Sequence, residues 1–137
     1  KEVGNNYYMN EFSAAIGLAQ LSKLKKMISK RKIIAKKYFN ELELEDKMPF
    51  STNCSYHLYW ISVKNRDKFR KILTSKGIES GTHYRPIHSF SLYSKNYSLP
   101  NTEKIGNQIV TIPIYPDLTN YEIDKIITTI NKINSKF

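Results

Sequence analysis

The feature that most constrains the fold is a stretch of about 35 residues, 10–44, that contains no proline and keeps a helical hydrophobic pattern. Asn10 stands where an N-cap is needed, and Glu11 complements the helix dipole in the first turn. Apolar residues recur at helical spacing: Phe12, Ala15, Ile16, Ala19, Leu21, Leu24, Ile28, Ala35, Phe39 and Leu42. The pattern predicts one helix, and its unusual length also allows a kink or a break.

Small residues cluster inside this predicted helix, where Gly17 lies among Ala14, Ala15 and Ala19. Small side chains let another backbone approach closely. This face therefore suits either a contact with a second subunit or tight packing within one subunit, and the sequence leaves both interpretations open.

The rest of the chain predicts short elements separated by turn residues. After a polar loop at 45–55, the pattern predicts in turn a strand, a helix, a strand, a helix and a strand: 57–64, 66–75, 78–84, 101–107 and 109–114. Thr119 begins a last helix with a stripe of isoleucines. This order predicts an α+β fold, in which a long N-terminal helix leads into a small domain. A mostly antiparallel sheet of about three strands is covered there by helices.

Composition limits the class of protein. The chain has 137 residues, 40% of them hydrophobic, which is enough for one folded core. Its single cysteine, Cys54, excludes an intramolecular disulfide and a multi-cysteine zinc site, and we predict no metal site. No apolar run approaches the roughly 20 residues of a transmembrane helix, and the N-terminus lacks the apolar region of a signal peptide. We therefore expect a cytoplasmic protein with no membrane partner.

The formal net charge of +10 fits two interpretations. A basic domain can bind nucleic acid through its phosphates. Here lysine carries most of the charge, the lysines are scattered along the predicted long helix, and no nucleic-acid-binding motif occurs. These observations favour a solvated helix face, and we expect no nucleic acid partner.

The densest group of chemically active side chains is Thr-His-Tyr-Arg-Pro-Ile-His at 82–88. Histidine titrates near neutral pH, arginine recognises phosphate or carboxylate, and tyrosine can stack or donate a hydrogen bond. The segment holds no acidic residue, and two histidines five positions apart on an extended segment face opposite sides. From the residues alone, a structural role and a binding role both remain open.

Four sequence blocks, taken together, resemble a known family. Residues 4–21 are similar to the segment G-x-N-Y-R-M-N-E-x-x-A-A-I-G-L-x-Q-L of the DegT/StrS-like sugar-nucleotide aminotransferases, which are fold type I pyridoxal-phosphate enzymes. Ser-Tyr-His-Leu-Tyr at 55–59 resembles a second family block. Gly-Ile at 77–78 with 83–88 resembles the third, and Pro-Ile-Tyr-Pro-Asp-Leu-Thr at 113–119 the fourth. The blocks occur in the family's order and extend over nearly the whole chain.

The resemblance implies the C-terminal portion of such an enzyme, with an interdomain and dimer-contact segment at 1–45 and a small domain at 46–137. In the family, the lysine that forms the Schiff base with pyridoxal phosphate belongs to a separate large domain, which nothing in this sequence matches. We therefore expect no catalytic residue in this chain and no transamination by the chain alone. The implied partners are that large domain, a second subunit, a nucleotide-linked keto-sugar and an amino donor, typically glutamate.

The resemblance also assigns site residues by position. It implies that Asn6 reaches the cofactor phosphate of the neighbouring subunit, and a turn or cap before the helix is the alternative. The implied substrate-binding residues are His83, Tyr84, Arg85 and Tyr8. Tyr8 stands where the family usually has arginine, so this position lacks the cation. Arg85 stands where the family varies.

The function implied by the resemblance is amino-group transfer to a nucleotide-linked keto-sugar, for a polysaccharide, a glycoconjugate or an antibiotic sugar. Two alternatives belong to other classes of protein. One is a non-catalytic remnant that only pairs with other chains, which the missing lysine would suit. The other is a basic nucleic-acid-binding domain, which only the net charge favours.

Overall fold

The computed structural model describes residues 4–93 and 98–135. Within them the helices are α1 (Glu11–Glu41), α2 (Arg66–Ser75), α3 (Pro100–Gln108) and α4 (Asn120–Asn134). The strands are β1 (Tyr59–Ser62) and β2 (Ile109–Ile112), and a 3-10 turn covers Ile87–Ser89. The predicted α+β class is confirmed, with a long helix leading into a small antiparallel sheet.

Helix α1 runs for 31 residues without a break. Its N-cap is Asn10, whose side-chain oxygen accepts a hydrogen bond from the backbone N–H of Ser13 at 2.8 Å. The helix ends at Glu41, earlier than the pattern predicted, and the N–H of Leu42 closes its last turn by donating to the carbonyl of Tyr38 at 3.0 Å. The local pattern was therefore sufficient to place this element.

The two halves of α1 lie in different surroundings. Ile34, Ala35 and Tyr38 are buried, whereas the side chains of 11–26 are exposed apart from the half-buried Ala14. Ile16 stands about five helical turns before Ile34, so the two lie on the same face, yet Ile16 is 63% exposed. The apolar stripe that α1 buries in the core thus continues onto a solvent-facing half of the helix.

Gly17 lies in this exposed half. A methyl group added there would have no atom within 4 Å in the part of the chain that the structure describes. Gly17 itself therefore makes no tight side-chain contact within these residues.

Strands β1 and β2 pair antiparallel, with Tyr59 opposite Ile112 and Ile61 opposite Val110. These four side chains are buried on one face of the sheet. The predicted strand at 57–64 is shortened to four residues. Tyr56, three residues before the strand begins, has a positive φ of 52°, so the extended backbone is interrupted there.

The predicted strand at 78–84 is wrong, because only one of its residues pairs. Gly81 forms an isolated bridge to Thr111 on the outer edge of β2. The chain bends at His83, whose side chain contacts that of Thr111. On the other edge of the sheet, Lys47 forms a similar single bridge to Ile61. The sheet thus has two strands, with one bridge beyond each.

The core is centred on an aromatic cluster, which comprises Tyr38, Phe50, Tyr56 and Tyr59. The rings of Tyr38 and Tyr59 meet edge to face at 5.2 Å, and Phe50 stacks on Tyr56 at 5.9 Å. The Tyr38 hydroxyl donates to the carbonyl of Pro113 at 2.7 Å, and the Tyr59 hydroxyl to that of Met48 at 2.9 Å. Burial raises the pKa of both tyrosines, so their hydroxyls remain neutral donors.

Helix α4 closes the core against α1 and α2. Its N-terminus carries a capping box, in which Thr119 and Glu122 satisfy each other's backbone N–H groups. The predicted isoleucine stripe is buried in full: Ile123, Ile126, Ile127, Ile130 and Ile133. Lys30 and Lys37 of α1 pair with Asp117 and Asp124 at 2.9 and 2.5 Å. No helix of the described residues combines the length and apolar character that crossing a bilayer requires.

We predict that Tyr38→Phe lowers the free energy of unfolding by about 1–2 kcal/mol, because the Pro113 carbonyl loses its donor in a buried site. The measurement is urea denaturation followed by circular dichroism. Tyr121→Phe is the matched control, since Tyr121 is 77% exposed and should change stability by less than about 0.5 kcal/mol. Equal losses in the two variants would contradict a structural role for the Tyr38 hydroxyl.

Candidate functional site

The predicted site residues lie in two separate places. Asn6 and Tyr8 precede α1 in an exposed segment, residues 4–10. His83, Tyr84 and Arg85 lie in the site loop, which we define as residues 80–90. Within the ranges 4–93 and 98–135, no hydrogen bond or ring contact joins the two places. The structure thus brings the three loop residues together but does not bring Asn6 or Tyr8 to them.

The two asparagines of the segment before α1 make different hydrogen bonds. The side-chain oxygen of Asn6 accepts a hydrogen bond from the backbone N–H of Tyr8 at 3.0 Å, which forms a local turn. Its Nδ2 group has no partner among the described residues, so both amide hydrogens remain available. Asn5 instead uses its Nδ2 to donate to the Tyr7 hydroxyl at 3.1 Å. Asn6 is therefore both a turn residue and an exposed donor.

The site loop begins with two attachments to the secondary structure. The backbone groups of Gly81 and Thr111 exchange two hydrogen bonds of 2.9 Å each. One terminal nitrogen of Arg70, on α2, donates to the Ser80 carbonyl at 2.8 Å. From this fixed start, His83 places its Nδ1 2.6 Å from the hydroxyl oxygen of Thr111.

Helix α3 holds the far side of the loop. Gly106 is buried beneath Pro86, and a Cβ at Gly106 would lie 2.6 Å from the proline ring. His88 lies beside Glu103, with Nε2 and Oε1 3.2 Å apart. The same carboxylate oxygen accepts the backbone N–H of Leu99 at 3.1 Å. The pKa of Glu103 is lowered, first by the Leu99 N–H and then by His88.

Glu103 and Gly106 were not singled out from the sequence, although both shape the loop. An acidic residue in the first turn of a helix is a recognisable signal for Glu103. No local signal marks Gly106, because its importance comes from the approach of Pro86, which lies 20 positions earlier in the chain.

The middle of the loop presents three polar side chains. Tyr84 is 72% exposed, and its ring meets that of His83 edge to face at 4.9 Å. Arg85 folds back, because its Nε donates to the Ser89 hydroxyl at 2.9 Å and its guanidinium stacks on Phe90 at 5.1 Å. An imidazole, a phenol and a guanidinium in sequence form a donor set suited to phosphate and hydroxyl oxygens.

The other features of the surface do not involve the predicted loop residues. Two grooves, one beside Asp46 and Lys104 and one beside Tyr115 and Tyr121, contain none of the three predicted loop residues in their lining. Within the described ranges, no three His, Cys, Asp or Glu side chains are grouped so that they could hold a metal ion. Cys54 is a half-buried free cysteine.

Comparison with known proteins gives consistent results. The model of the DegT/DnrJ/EryC1/StrS aminotransferase family matches residues 1–131. DesV from S. venezuelae is 26% identical with a TM-score of 0.86, and the match covers 97% of this chain and 38% of DesV. The PLP form of Spr1654 from Streptococcus pneumoniae is 25% identical with a TM-score of 0.84, covering 93% and 36%.

The sugar aminotransferase CalS13 from Micromonospora echinospora shares the fold at 22% identity, with a TM-score of 0.85 and coverage of 94% and 37%. In each of these comparisons the chain spans less than two fifths of the length of the solved structure that it matches. The match therefore compares this chain with one part of each of those proteins.

We predict that Glu103→Gln destabilises the protein at neutral pH but not in acid. A carboxyl whose folded pKa lies below its usual value of 4.5 stabilises the fold in full above that value. The contribution disappears as the pH falls through the lowered pKa. The measurement is the urea concentration at the midpoint of unfolding, at about pH 7, 5 and 3.5. The difference between variant and parent should be smallest at the lowest pH.

Glu79→Gln is the control for this prediction. Glu79 is exposed and has no hydrogen-bond or ion-pair partner among the described residues, so the variant should follow the parent at every pH. A deficit in Glu103→Gln that persists unchanged in acid would contradict the role assigned to the ionised carboxylate.

Proposed function

Because the chain belongs to the DegT/DnrJ/EryC1/StrS aminotransferase family, we propose that it is the C-terminal part of a pyridoxal-phosphate-dependent enzyme. That enzyme transfers an amino group, typically from glutamate, to a nucleotide-linked keto-sugar. Its product enters a polysaccharide, glycoconjugate or antibiotic sugar. The observation that carries the proposal is the family match over residues 1–131.

The proposed organisation divides the chain into an interdomain and dimer-contact segment, 1–45, and a small domain, 46–137. The exposed half of α1 supports this division, because Phe12 and Ile16 are 85% and 63% exposed. Apolar side chains arranged along one helix face are usually covered by a partner. We propose that the large domain of the same enzyme and a second subunit cover this face.

The cofactor proposed for the whole enzyme is pyridoxal phosphate, held in part by Asn6 of the neighbouring subunit. The free Nδ2 of Asn6 fits this role, since phosphate oxygens accept hydrogen bonds and the amide oxygen is already engaged with Tyr8. When bound, the cofactor supplies an electron sink for amino-group transfer. The contribution of this chain is to donate to the phosphate and so to retain and orient the cofactor.

The substrate contacts proposed for this chain are His83, Tyr84, Arg85 and Tyr8. His83 and Tyr84 are exposed next to each other and offer donors to the oxygens of the nucleotide sugar. Arg85 contributes positive charge near the same place while its guanidinium remains bonded to Ser89. Tyr8 offers a neutral hydroxyl, so the attraction to an anionic group is weaker there than with arginine.

The test of the function compares the intact enzyme with residues 1–137 alone. With pyridoxal phosphate, glutamate and a nucleotide-linked keto-sugar, the intact enzyme should release 2-oxoglutarate in amounts equal to the amino sugar formed. Residues 1–137 with the same cofactor should show neither turnover nor stoichiometric borohydride labelling of a single lysine. Stoichiometric labelling would overturn the proposal that the catalytic lysine lies elsewhere, and an inert intact protein would favour the non-catalytic remnant.

The role of Asn6 gives a second prediction for the intact enzyme. Loss of one hydrogen bond to a charged group costs about 1.5–3 kcal/mol, so Asn6→Ala should weaken cofactor binding by roughly 10- to 150-fold. Asn5→Ala is the matched control and should leave the cofactor dissociation constant within about two-fold. The measurement is fluorescence titration with pyridoxal phosphate. If Asn5→Ala alone loses the cofactor, the motif is aligned one residue out of register.

A hybrid dimer tests whether Asn6 acts across the subunit interface. One subunit carries Asn6→Ala, and the other has a substitution at the lysine that binds the cofactor. If Asn6 serves the neighbouring site, the hybrid keeps one intact site, which combines the lysine of the first subunit with Asn6 of the second. A hybrid that retains the cofactor no better than the Asn6→Ala homodimer would contradict the cross-subunit role.

A further inference from the structure

We propose that Thr111 is a positioning residue for His83. Its hydroxyl donates to Nδ1 of the imidazole, so that the ring carries its proton on Nε2 and presents an N–H donor to the nucleotide sugar. The proposal rests on the proposed function where it concerns substrate. The state of the ring itself does not depend on that function.

The first observation is the burial of Thr111. This residue lies in β2, is only 5% exposed, and is a polar residue in an otherwise apolar core. Its backbone N–H and carbonyl are both paired with Gly81. A buried hydroxyl requires a partner of its own. The His83 ring nitrogen, 2.6 Å from the hydroxyl oxygen, is that partner.

The second observation is the space that receives the ring. Gly81 lies directly opposite Thr111, and a Cβ on it would be 2.6 Å from Cε1 of His83 and 2.8 Å from the Thr111 hydroxyl oxygen. The imidazole of His83 therefore occupies the space into which a side chain at Gly81 would project. The absence of a side chain at Gly81 therefore makes the His83–Thr111 contact possible.

The third step assigns the proton. A neutral imidazole has one nitrogen that donates and one that accepts. Within residues 4–93 and 98–135, the Thr111 hydroxyl has no acceptor other than His83, so it satisfies its hydrogen by donating to Nδ1. The proton of the ring then resides on Nε2, which has no partner in the same residues. Because His83 is exposed, Nε2–H is available to an oxygen of the substrate.

The assignment predicts a specificity role at a residue that does not touch the substrate. Without the Thr111 hydroxyl, the ring can rotate and exchange tautomers, and only part of the population presents Nε2–H. Loss of the hydroxyl should therefore weaken the binding of the nucleotide sugar and leave the binding of the amino donor unchanged. Thr111→Val removes the hydroxyl at nearly the same volume, and Thr111→Ser retains it.

The direct test is nuclear magnetic resonance on the intact enzyme with ¹⁵N-labelled histidine. At about pH 9, where an ordinary histidine is neutral, the His83 signals are identified by their loss in His83→Ala. In the parent and in Thr111→Ser we expect the proton on Nε2, and in Thr111→Val a mixture of tautomers. A parent ring protonated on Nδ1, or a Thr111→Val ring unchanged from the parent, would overturn the proposal.

Kinetics of the same variants provide the second readout. Thr111→Val should raise the KM for the nucleotide sugar about ten-fold while the KM for glutamate stays within about two-fold, and Thr111→Ser should restore binding. In an enzyme that already carries His83→Ala, Thr111→Val should not raise the KM for the nucleotide sugar any further, because Thr111 acts only through the His83 ring. A further rise of this KM in the double variant would overturn the positioning role. An inactive parent enzyme would instead refute the proposed function, while the tautomer measurement still decides the state of the ring.

Discussion

The buried Tyr38 hydroxyl is the interaction on which the arrangement of this chain depends. It joins α1 to the segment after β2 by donating to the Pro113 carbonyl, while its ring meets Tyr59 of β1. One side chain thus joins the long helix both to β1 and to the segment that follows β2. Because burial raises the pKa of Tyr38, the hydroxyl remains a neutral donor, and the contact does not depend on pH in the ordinary range.

Fixing the C-terminal half of α1 leaves its N-terminal half without a partner among the described residues. A helix is stiff over 31 residues, so the apolar stripe that packs at Ile34 is presented to solvent at Ile16. The segment with Asn6 stands at the end of this projecting half. This geometry agrees with two of the proposals above, that a large domain and a second subunit cover the exposed half of α1 and that Asn6 acts across the subunit interface.

The site loop is held in place by residues that lie outside it. Arg70 of α2, Thr111 of β2 and Glu103 of α3 each bond to a loop residue, so three separate elements determine where the loop runs. A loop held in this way can present His83 and Tyr84 to a ligand at little further entropic cost. The polar residues that support the loop are thus as important to the proposed site as those that it exposes.

The sequence by itself determined the elements whose signals are local. Helix α1 with its Asn10 cap, helix α2, and helix α4 with its Thr119 capping box follow from periodicity and capping within a few residues. Short sequence motifs also predicted the aminotransferase family, and the family match confirms that prediction. Helical hydrogen bonds and caps connect near neighbours in the chain, so the order of residues is enough to predict them.

Only the tertiary structure decided the rest. The segment at 78–84 was predicted to be a strand, yet only Gly81 pairs, and both Gly81 and His83 contact Thr111, which lies 28 residues after His83 in the chain. Likewise His88 meets Glu103 across 15 residues, and Gly106 matters only because Pro86 packs on it. Such contacts depend on where the backbone has already been placed, and no local pattern encodes the distance between two distant side chains.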